Sequence, residues 1–313
     1  MSCVLFAHRD ADYFAPKLRE RFPVLRVLTA VDLPEADDRL AEADVIVAAG
    51  HLFNDRRLGM AARLKWIHAM TTGFDAIVGS RTLRPDVLLT TTRGIHGPQT
   101  SEMAIMYMMN LARQTPRMVE NQKRRVWQRW TQVRLYGKTV AILGTGVIGE
   151  ALAVRCKALG MSVLGVTRTP RALPGFDRLF RYQELPQAAS LADFLVVLAP
   201  HAPETESIIN ARVLAAMKPG AFLVNLARGA VCDENALIDA LRNRRIAGAG
   251  LDVFRTEPLP PESPFWELDN VMISSHCSGS SDDNLELTWP IIETNMARFL
   301  EGRSSEMVNL VPH

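Results

Sequence analysis

The sequence predicts an α/β protein built from two parallel-sheet units, and three observations carry that prediction. Short apolar runs recur along the whole chain and alternate with longer amphipathic stretches, as parallel strands joined by helical crossovers require. One such run, Val140–Leu143, is closed by a Gly-x-Gly-x-x-Gly turn at Gly144, Gly146 and Gly149 and continues into a helical stretch. At 313 residues the chain also exceeds one typical domain, so two units of roughly 150 residues are expected.

Each element follows from local pattern. In the first unit the candidate strands are Val4–Ala7, Leu25–Leu28, Val45–Ala48, Trp66–Ala69 and Val87–Thr90, with helices at Ala15–Arg21, Asp37–Ala43 and Arg56–Leu64. No glycine-rich phosphate loop occurs among them. Ser101–Arg113 is apolar, methionine-rich and free of proline, and reads as one long helix leaving this unit. Gln122–Arg134, basic and carrying Trp127 and Trp130, reads as a solvated helix face or connector.

The second unit opens near Lys138. Val140–Leu143 is followed by a helix from Glu150 to Leu159, ended by Gly160, and by strands at Met161–Thr167, Phe194–Leu198, Phe222–Asn225, Gly250–Val253 and Val271–Ser274. Helices intervene at Ala211–Met217 and Glu234–Arg242. Six strands of this kind make a doubly wound sheet. The helical stretch Asp282–Glu301 is expected to cross back and complete the first unit, giving a first domain of residues 1–100 plus 282–313 and a second of 101–281.

Composition bounds the function. Hydrophobic residues make up 48% and charged residues 22%, the balance of a soluble globular chain. A net charge of +2 offers no basic footprint for nucleic acid. The N-terminus lacks a signal peptide's apolar region, and no run approaches a membrane span, so a cytoplasmic protein without membrane partners is expected. Cys3, Cys156, Cys232 and Cys277 are scattered without a Cys-x-x-Cys pair, so no metal site is expected.

The glycine turn carries the first chemistry. Gly144 permits a tight turn, Gly146 lets a pyrophosphate approach the backbone, and Gly149 lets helix and strand pack closely. With Thr145, Val147 and Ile148 they form the expected phosphate cradle, backed by the positive end of a helix. Position makes two first-unit loops candidates for substrate contact. Thr72 and Gly73 follow the strand ending at Ala69, and Thr92–Pro98 follows the next strand. Four polar residues sit where strands of the second unit end: Arg228, Asp252, Glu257 and His276. Together they supply an anion clamp, an acid/base imidazole and a carboxylate to orient it.

These motifs carry a resemblance. Gly144-x-Gly146-x-x-Gly149, Asn225-Leu-Ala-Arg-Gly-Ala230, Leu251-Asp-Val-Phe-Arg-Thr-Glu-Pro258 and His276-Cys-Ser-Gly279 resemble the D-isomer-specific 2-hydroxyacid dehydrogenase family over most of the chain. The resemblance implies two Rossmann-like domains, a doubly wound nucleotide-binding domain and a smaller flavodoxin-like substrate domain. It implies that Arg228 holds the carboxylate and carbonyl of a 2-oxo acid, His276 moves the proton, and Glu257 partners His276. Asp252 would contact the nicotinamide carboxamide region, and the Thr72–Gly73 backbone the substrate carboxylate. Pro200, Ala227, His276 and Gly279 join the implied cofactor contacts, and a homodimer involving Ser101–Arg134 is implied.

The end of the second nucleotide-binding strand departs from an NAD pattern. An acidic residue is normal about 20 residues past the glycine turn. Here Thr167, Arg168 and Thr169 stand, with Arg171 following, a set that suits a 2′-phosphate and points to NADP, NAD remaining the other cofactor. Cys277 and Ser278 stand where an aliphatic residue and alanine are common. In these cofactor features the chain resembles NADP-dependent glyoxylate/hydroxypyruvate reductases. The competing readings are a relative acting on another 2-hydroxy acid or on phosphite with NAD, and a dinucleotide-sensing interaction protein of corepressor type.

Overall fold

A computed structural model describes residues 1–313. Along the chain run β1 (Cys3–Ala7), α1 (Ala11–Arg21), β2 (Arg26–Ala30), β3 (Val45–Ala48), α2 (Asp55–Met60), β4 (Trp66–Ala69), α3 (Asp75–Val78) and β5 (Leu88–Thr91). There follow α4 (Gly97–Arg113), α5 (Thr115–Lys123), β6 (Thr139–Leu143), α6 (Val147–Ala158), β7 (Ser162–Thr167), β8 (Arg178–Arg181), α7 (Leu185–Leu191) and β9 (Phe194–Val197). The last elements are α8 (Ala211–Ala216), β10 (Phe222–Asn225), α9 (Glu234–Arg242), β11 (Gly248–Leu251), β12 (Val271–Ile273) and α10 (Asn284–Leu300). Contacts divide the chain into two compact units, Met1–Ile95 with Ser281–His313, and His96–Ser280.

The first unit is a five-stranded sheet in the order β2-β1-β3-β4-β5, parallel throughout. This is the flavodoxin-like winding. Its strands β1, β3 and β4 are buried along their whole length, which explains their apolar character, interrupted only by His68 in β4. The terminal helix α10 returns here, burying Ile292 and Met296 against Val4, Phe6 and Trp66. Trp66 Nε1 donates to Thr90 Oγ1 at 2.9 Å, and His68 Nδ1 lies 2.8 Å from the same hydroxyl.

The second unit is a seven-stranded parallel sheet in the order β12-β11-β10-β9-β6-β7-β8. The order reverses between β6 and β9, so the loops after these strands flank the switch point where ligands bind in such sheets. One core cluster, with Leu143, Val166, Leu195 and Leu223, lies on one face, and another, with Ile142, Val163, Val196 and Val224, on the other.

Several local expectations change. The sheet has seven strands rather than six. The added strand, β8, is a short edge strand in which Phe180 alone is buried, too little apolar pattern to register in the sequence. Helix α7 was also not anticipated. Asp37–Ala43 is not an α-helix: residues Pro34–Glu42 form 3-10 turns. The helix expected at Arg56–Leu64 stops at Met60. In Gln122–Arg134 helix ends at Lys123, Arg125 takes φ +57°, and the rest is irregular. Helix α6 starts at Val147, earlier than expected, which puts Gly149 in its first turn. Strand β11 ends at Leu251, so Asp252 lies just beyond the strand rather than inside it.

Candidate active site

The site in the second unit begins at the turn between β6 and α6. Gly144 adopts φ +104°, and a Cβ there would lie 2.6 Å from the Ala199 backbone nitrogen. A Cβ on Gly149 would run into the Gly144 carbonyl oxygen. Both positions therefore require glycine. Gly146 differs: nothing lies within 4 Å of its would-be Cβ, so the missing side chain leaves open space in front of the helix N-terminus. Gly146 is the N-cap of α6 and no side chain caps the helix. Uncapped N–H groups facing open space fit a dinucleotide pyrophosphate, whose charge the helix end favours.

Beyond β7, Arg168 is 77% exposed on its side chain, and its Nη1 sits 3.0 Å from Glu204 Oε1. The guanidinium expected to meet a 2′-phosphate thus already has a carboxylate partner, from the loop after β9. Nothing in the sequence singled out Glu204. An exposed pair of this kind is weak and readily exchanged. In the same loop the Pro200 carbonyl accepts a bond from Thr205 Oγ1 at 2.7 Å.

Arg228 follows β10 in extended backbone and is half-buried, its Nη1 donating to the Ala227 carbonyl at 2.7 Å. Buried Asn225 braces it: its amide donates to the Arg228 carbonyl at 3.1 Å and its Oδ1 accepts the Ala227 N–H at 3.1 Å. A Cβ on Gly229 would overlap the Phe254–Arg255 backbone, so this turn packs directly on the segment that leads to Glu257. Arg255 ties the loops further, donating from Nη2 to Glu206 and Ser207 and from Nε to the Cys232 carbonyl. Neither Asn225 nor Arg255 was assigned a role from the sequence, because a brace has no signature apart from what it holds.

His276 and Glu257 meet. His276 Nδ1 lies 2.7 Å from Glu257 Oε2, while Glu257 Oε1 accepts the Phe254 N–H at 2.9 Å. Burial tends to raise the Glu257 pKa, but the bonds from His276 and Phe254, with the charges of His276 and Arg228, outweigh it and hold the carboxyl below its ordinary value. An ionised Glu257 only accepts, so His276 Nδ1 must carry a proton and Nε2 is the nitrogen left for chemistry. His276 also adopts φ +52°, a left-handed conformation uncommon outside glycine. Its N–H donates to the Asp252 carbonyl at 2.8 Å.

Asp252 is held from several sides. Assigned to nicotinamide contact, it is 0% exposed, with its carboxylate turned inward. Oδ1 accepts from Ser274 Oγ and from Cys277 N at 2.9 Å, and Oδ2 accepts from Ser278 N at 2.9 Å. Its chemistry is spent on the loop that carries His276. Gly279 closes that loop, its carbonyl 3.2 Å from His96 Nδ1. Cys277 is exposed.

In the first unit, Thr71 rather than Thr72 shapes the loop after β4. Thr71 Oγ1 donates to the Gly73 carbonyl at 2.7 Å and accepts the Gly50 N–H at 3.1 Å. Thr72 Oγ1 is buried without a partner, and the Thr72 and Gly73 N–H groups make no backbone hydrogen bond. No group of three or more His, Cys, Asp or Glu is arranged to hold a metal, and no helix is long and apolar enough to cross a membrane.

Comparison with known proteins accords with this geometry. Residues 105–278 match the model of the D-isomer specific 2-hydroxyacid dehydrogenase family, NAD binding domain. The chain is 32% identical over 311 residues to glyoxylate/hydroxypyruvate reductase B of Pectobacterium atrosepticum, covering 97% of this chain and 96% of that protein. It is 29% identical over 310 residues to D-3-phosphoglycerate dehydrogenase of Methanocaldococcus jannaschii, covering 98% of this chain and spanning 58% of that relative's length. A D-isomer specific 2-hydroxyacid dehydrogenase from Xanthobacter autotrophicus Py2, solved in complex with NADPH and MES, aligns with a TM-score of 0.85 at 30% identity, over 99% of this chain and 97% of that one. The chain therefore belongs to the D-isomer-specific 2-hydroxyacid dehydrogenase family, oxidoreductases that act on CH–OH donors.

Proposed function

We propose that this protein reduces a small 2-oxo acid of the glyoxylate or hydroxypyruvate type to the D-2-hydroxy acid, using NADPH in preference to NADH. The observation that carries the reading is the His276–Glu257 pair held beside Arg228. The glycine turn at Gly144, Gly146 and Gly149 would hold a nicotinamide dinucleotide, which would supply the hydride. Arg228 holds the substrate carboxylate bidentately and polarises the carbonyl. The His276 imidazolium gives its Nε2 proton to the oxygen as the carbonyl carbon is reduced, and Glu257, accepting from Nδ1, stabilises the cation until then. Thr72 and Gly73 are assigned to the substrate carboxylate on the strength of their unpaired N–H groups and the orphaned Thr72 hydroxyl.

Arg168 supports NADPH, since a guanidinium can pair with a 2′-phosphate, and the Xanthobacter relative was solved with NADPH. Its pairing with Glu204 makes that preference moderate rather than strict. A homodimer is proposed from the apolar side chains left exposed on the segment from α4 to the irregular stretch after α5: Met106, Met109, Val119, Val126 and Trp127, the last at 93%. Light scattering coupled to size exclusion tests that assembly, and a monomer at micromolar concentration would refute it.

The deciding experiment is a panel of 2-oxo acids assayed with each cofactor. Turnover of glyoxylate or hydroxypyruvate with a several-fold higher kcat/KM for NADPH is expected. No turnover of any 2-oxo acid would defeat the reading, and equal use of both cofactors would defeat the NADPH part alone.

A further inference from the structure

Tyr107 is buried in the middle of α4 at 1% exposure, with a hydroxyl the reaction described above does not use. Its ring packs over Gly250, where a Cβ would come within 2.5 Å of Cδ1, so the strand residue is small enough for a tyrosine to reach past it. The hydroxyl emerges at the carboxyl end of β11, 2.6 Å from Ser274 Oγ and 3.3 Å from the Leu251 carbonyl. Ser274 Oγ is in turn bonded to Asp252 Oδ1.

The direction of this relay is set by proton inventory. Asp252 is opposed by burial, yet the donors from Ser274, Ser278 and Cys277 hold its carboxyl below the ordinary value, so it is ionised and only accepts. Ser274 must therefore spend its one proton on Asp252, which leaves Tyr107 as donor to Ser274. Burial pushes the Tyr107 pKa up to about 12, so that donor keeps its proton at any working pH. Three successive amides, of His276, Cys277 and Ser278, all end on Asp252, the first on its carbonyl and the other two on its carboxylate. His276 takes its left-handed backbone within that set.

We propose that Tyr107 and Ser274 are positioning residues, which fix the Asp252 carboxylate and through it the loop that aims His276 at the substrate oxygen. The inference rests on His276 being the proton donor of the proposed reaction. With the relay intact the carboxylate has one orientation; without it, Asp252 loses a donor and the 276–278 backbone loses its fixed anchor. Substrate is held by other residues, so the loss falls on turnover and not on binding.

The test uses the full-length protein with Tyr107→Phe, which keeps the ring, Ser274→Ala, and the double variant. Each single change should lower kcat about 3- to 30-fold, as small misplacements of a reacting group do, with KM for the 2-oxo acid moved by less than about twofold. The double variant should be no slower than the slower single, because both changes break one relay. The amide protons of Cys277 and Ser278 should shift by NMR in each variant without substrate. A folded Tyr107→Phe protein with kcat within twofold of wild type, KM rising in step with the loss of kcat, or multiplicative losses in the double variant would overturn the proposal. Should the wild type reduce no 2-oxo acid, the assigned reaction fails by itself. The amide signals then decide the positioning role: movement supports it and unmoved signals refute it.

Discussion

At His276 the backbone and the side chain answer to different partners, Asp252 for the first and Glu257 for the second. This division makes the residue's role separable by substitution. His276→Ala, which keeps Asp252 and its bonds to 277 and 278, should lower kcat about 10²- to 10⁴-fold, the usual loss for a general acid, with a small change in KM. On the proposed mechanism, Arg228→Ala should instead raise KM for the 2-oxo acid and lower kcat together, since one clamp would both bind and polarise. Steady-state kinetics on both variants checks the pair, and unchanged turnover in folded His276→Ala would remove the mechanism. In the proposed reaction Glu257 would set the acid side of the pH dependence. Its folded pKa is depressed, so its charge survives as pH falls and is lost only once pH drops through that lowered value. The kcat/KM of the free enzyme should therefore show no acid limb from this group down to about pH 4.5, near the ordinary glutamate value. Glu257→Gln, which cannot hold the imidazolium, should lose about 10²-fold or more in kcat throughout that range. A variant with wild-type turnover would show that His276 works without this partner.

Among the elements, β7 and the loop after it bear on the proposed cofactor preference. The strand ends at Thr167 in parallel register with β8, and the next residue, Arg168, reaches across to Glu204 beyond β9. On the proposed reading, a 2′-phosphate and Glu204 would compete for one guanidinium. Glu204→Gln should raise the ratio of kcat/KM for NADPH over NADH by about two- to fivefold, the modest worth of an exposed pair. Arg168→Asp should reverse the preference, because a carboxylate repels the phosphate and accepts from ribose hydroxyls. Measuring both ratios against wild type tests this. A ratio that does not move in either variant would leave Arg168 as surface charge.

For the whole molecule, the first unit carries a built-in sensitivity to acid. His68 on β4 is fully buried, its Nδ1 bonded to Thr90 and its Nε2 without a partner, and burial pushes its pKa down to about 3. The folded state therefore keeps His68 neutral while the unfolded chain takes up a proton below about pH 6.5. Between those values the unfolded state binds more protons, so stability falls with pH at roughly 1.4 kcal/mol per unit from this residue. Urea titrations from pH 7 to 4 should show that slope in the transition of the first unit, and His68→Phe should flatten it. An unchanged slope in the variant would assign acid sensitivity elsewhere. The two parallel α/β sheets were legible because apolar strands buried on both faces, a glycine turn and helical spacing are written in consecutive residues, whereas the flavodoxin-like character of the first came from the family resemblance. Edge strand β8 was not legible, since an edge buries too little to leave a pattern.

The sequence by itself determined the fold class, and its local motifs carried the glycine turn and the candidate residues Arg228, Glu257 and His276. Only the tertiary structure decided what holds them. Tyr107 stands 167 residues before the Ser274 that it bonds, and Arg168 is 36 residues from Glu204. The turn of the Asp252 carboxylate away from solvent is likewise settled by donors on another loop. Partners so far apart in the chain leave no periodicity or spacing to read. They are brought together by the stacking of strands, and burial then makes each unpaired donor or acceptor costly enough that the pairing becomes specific.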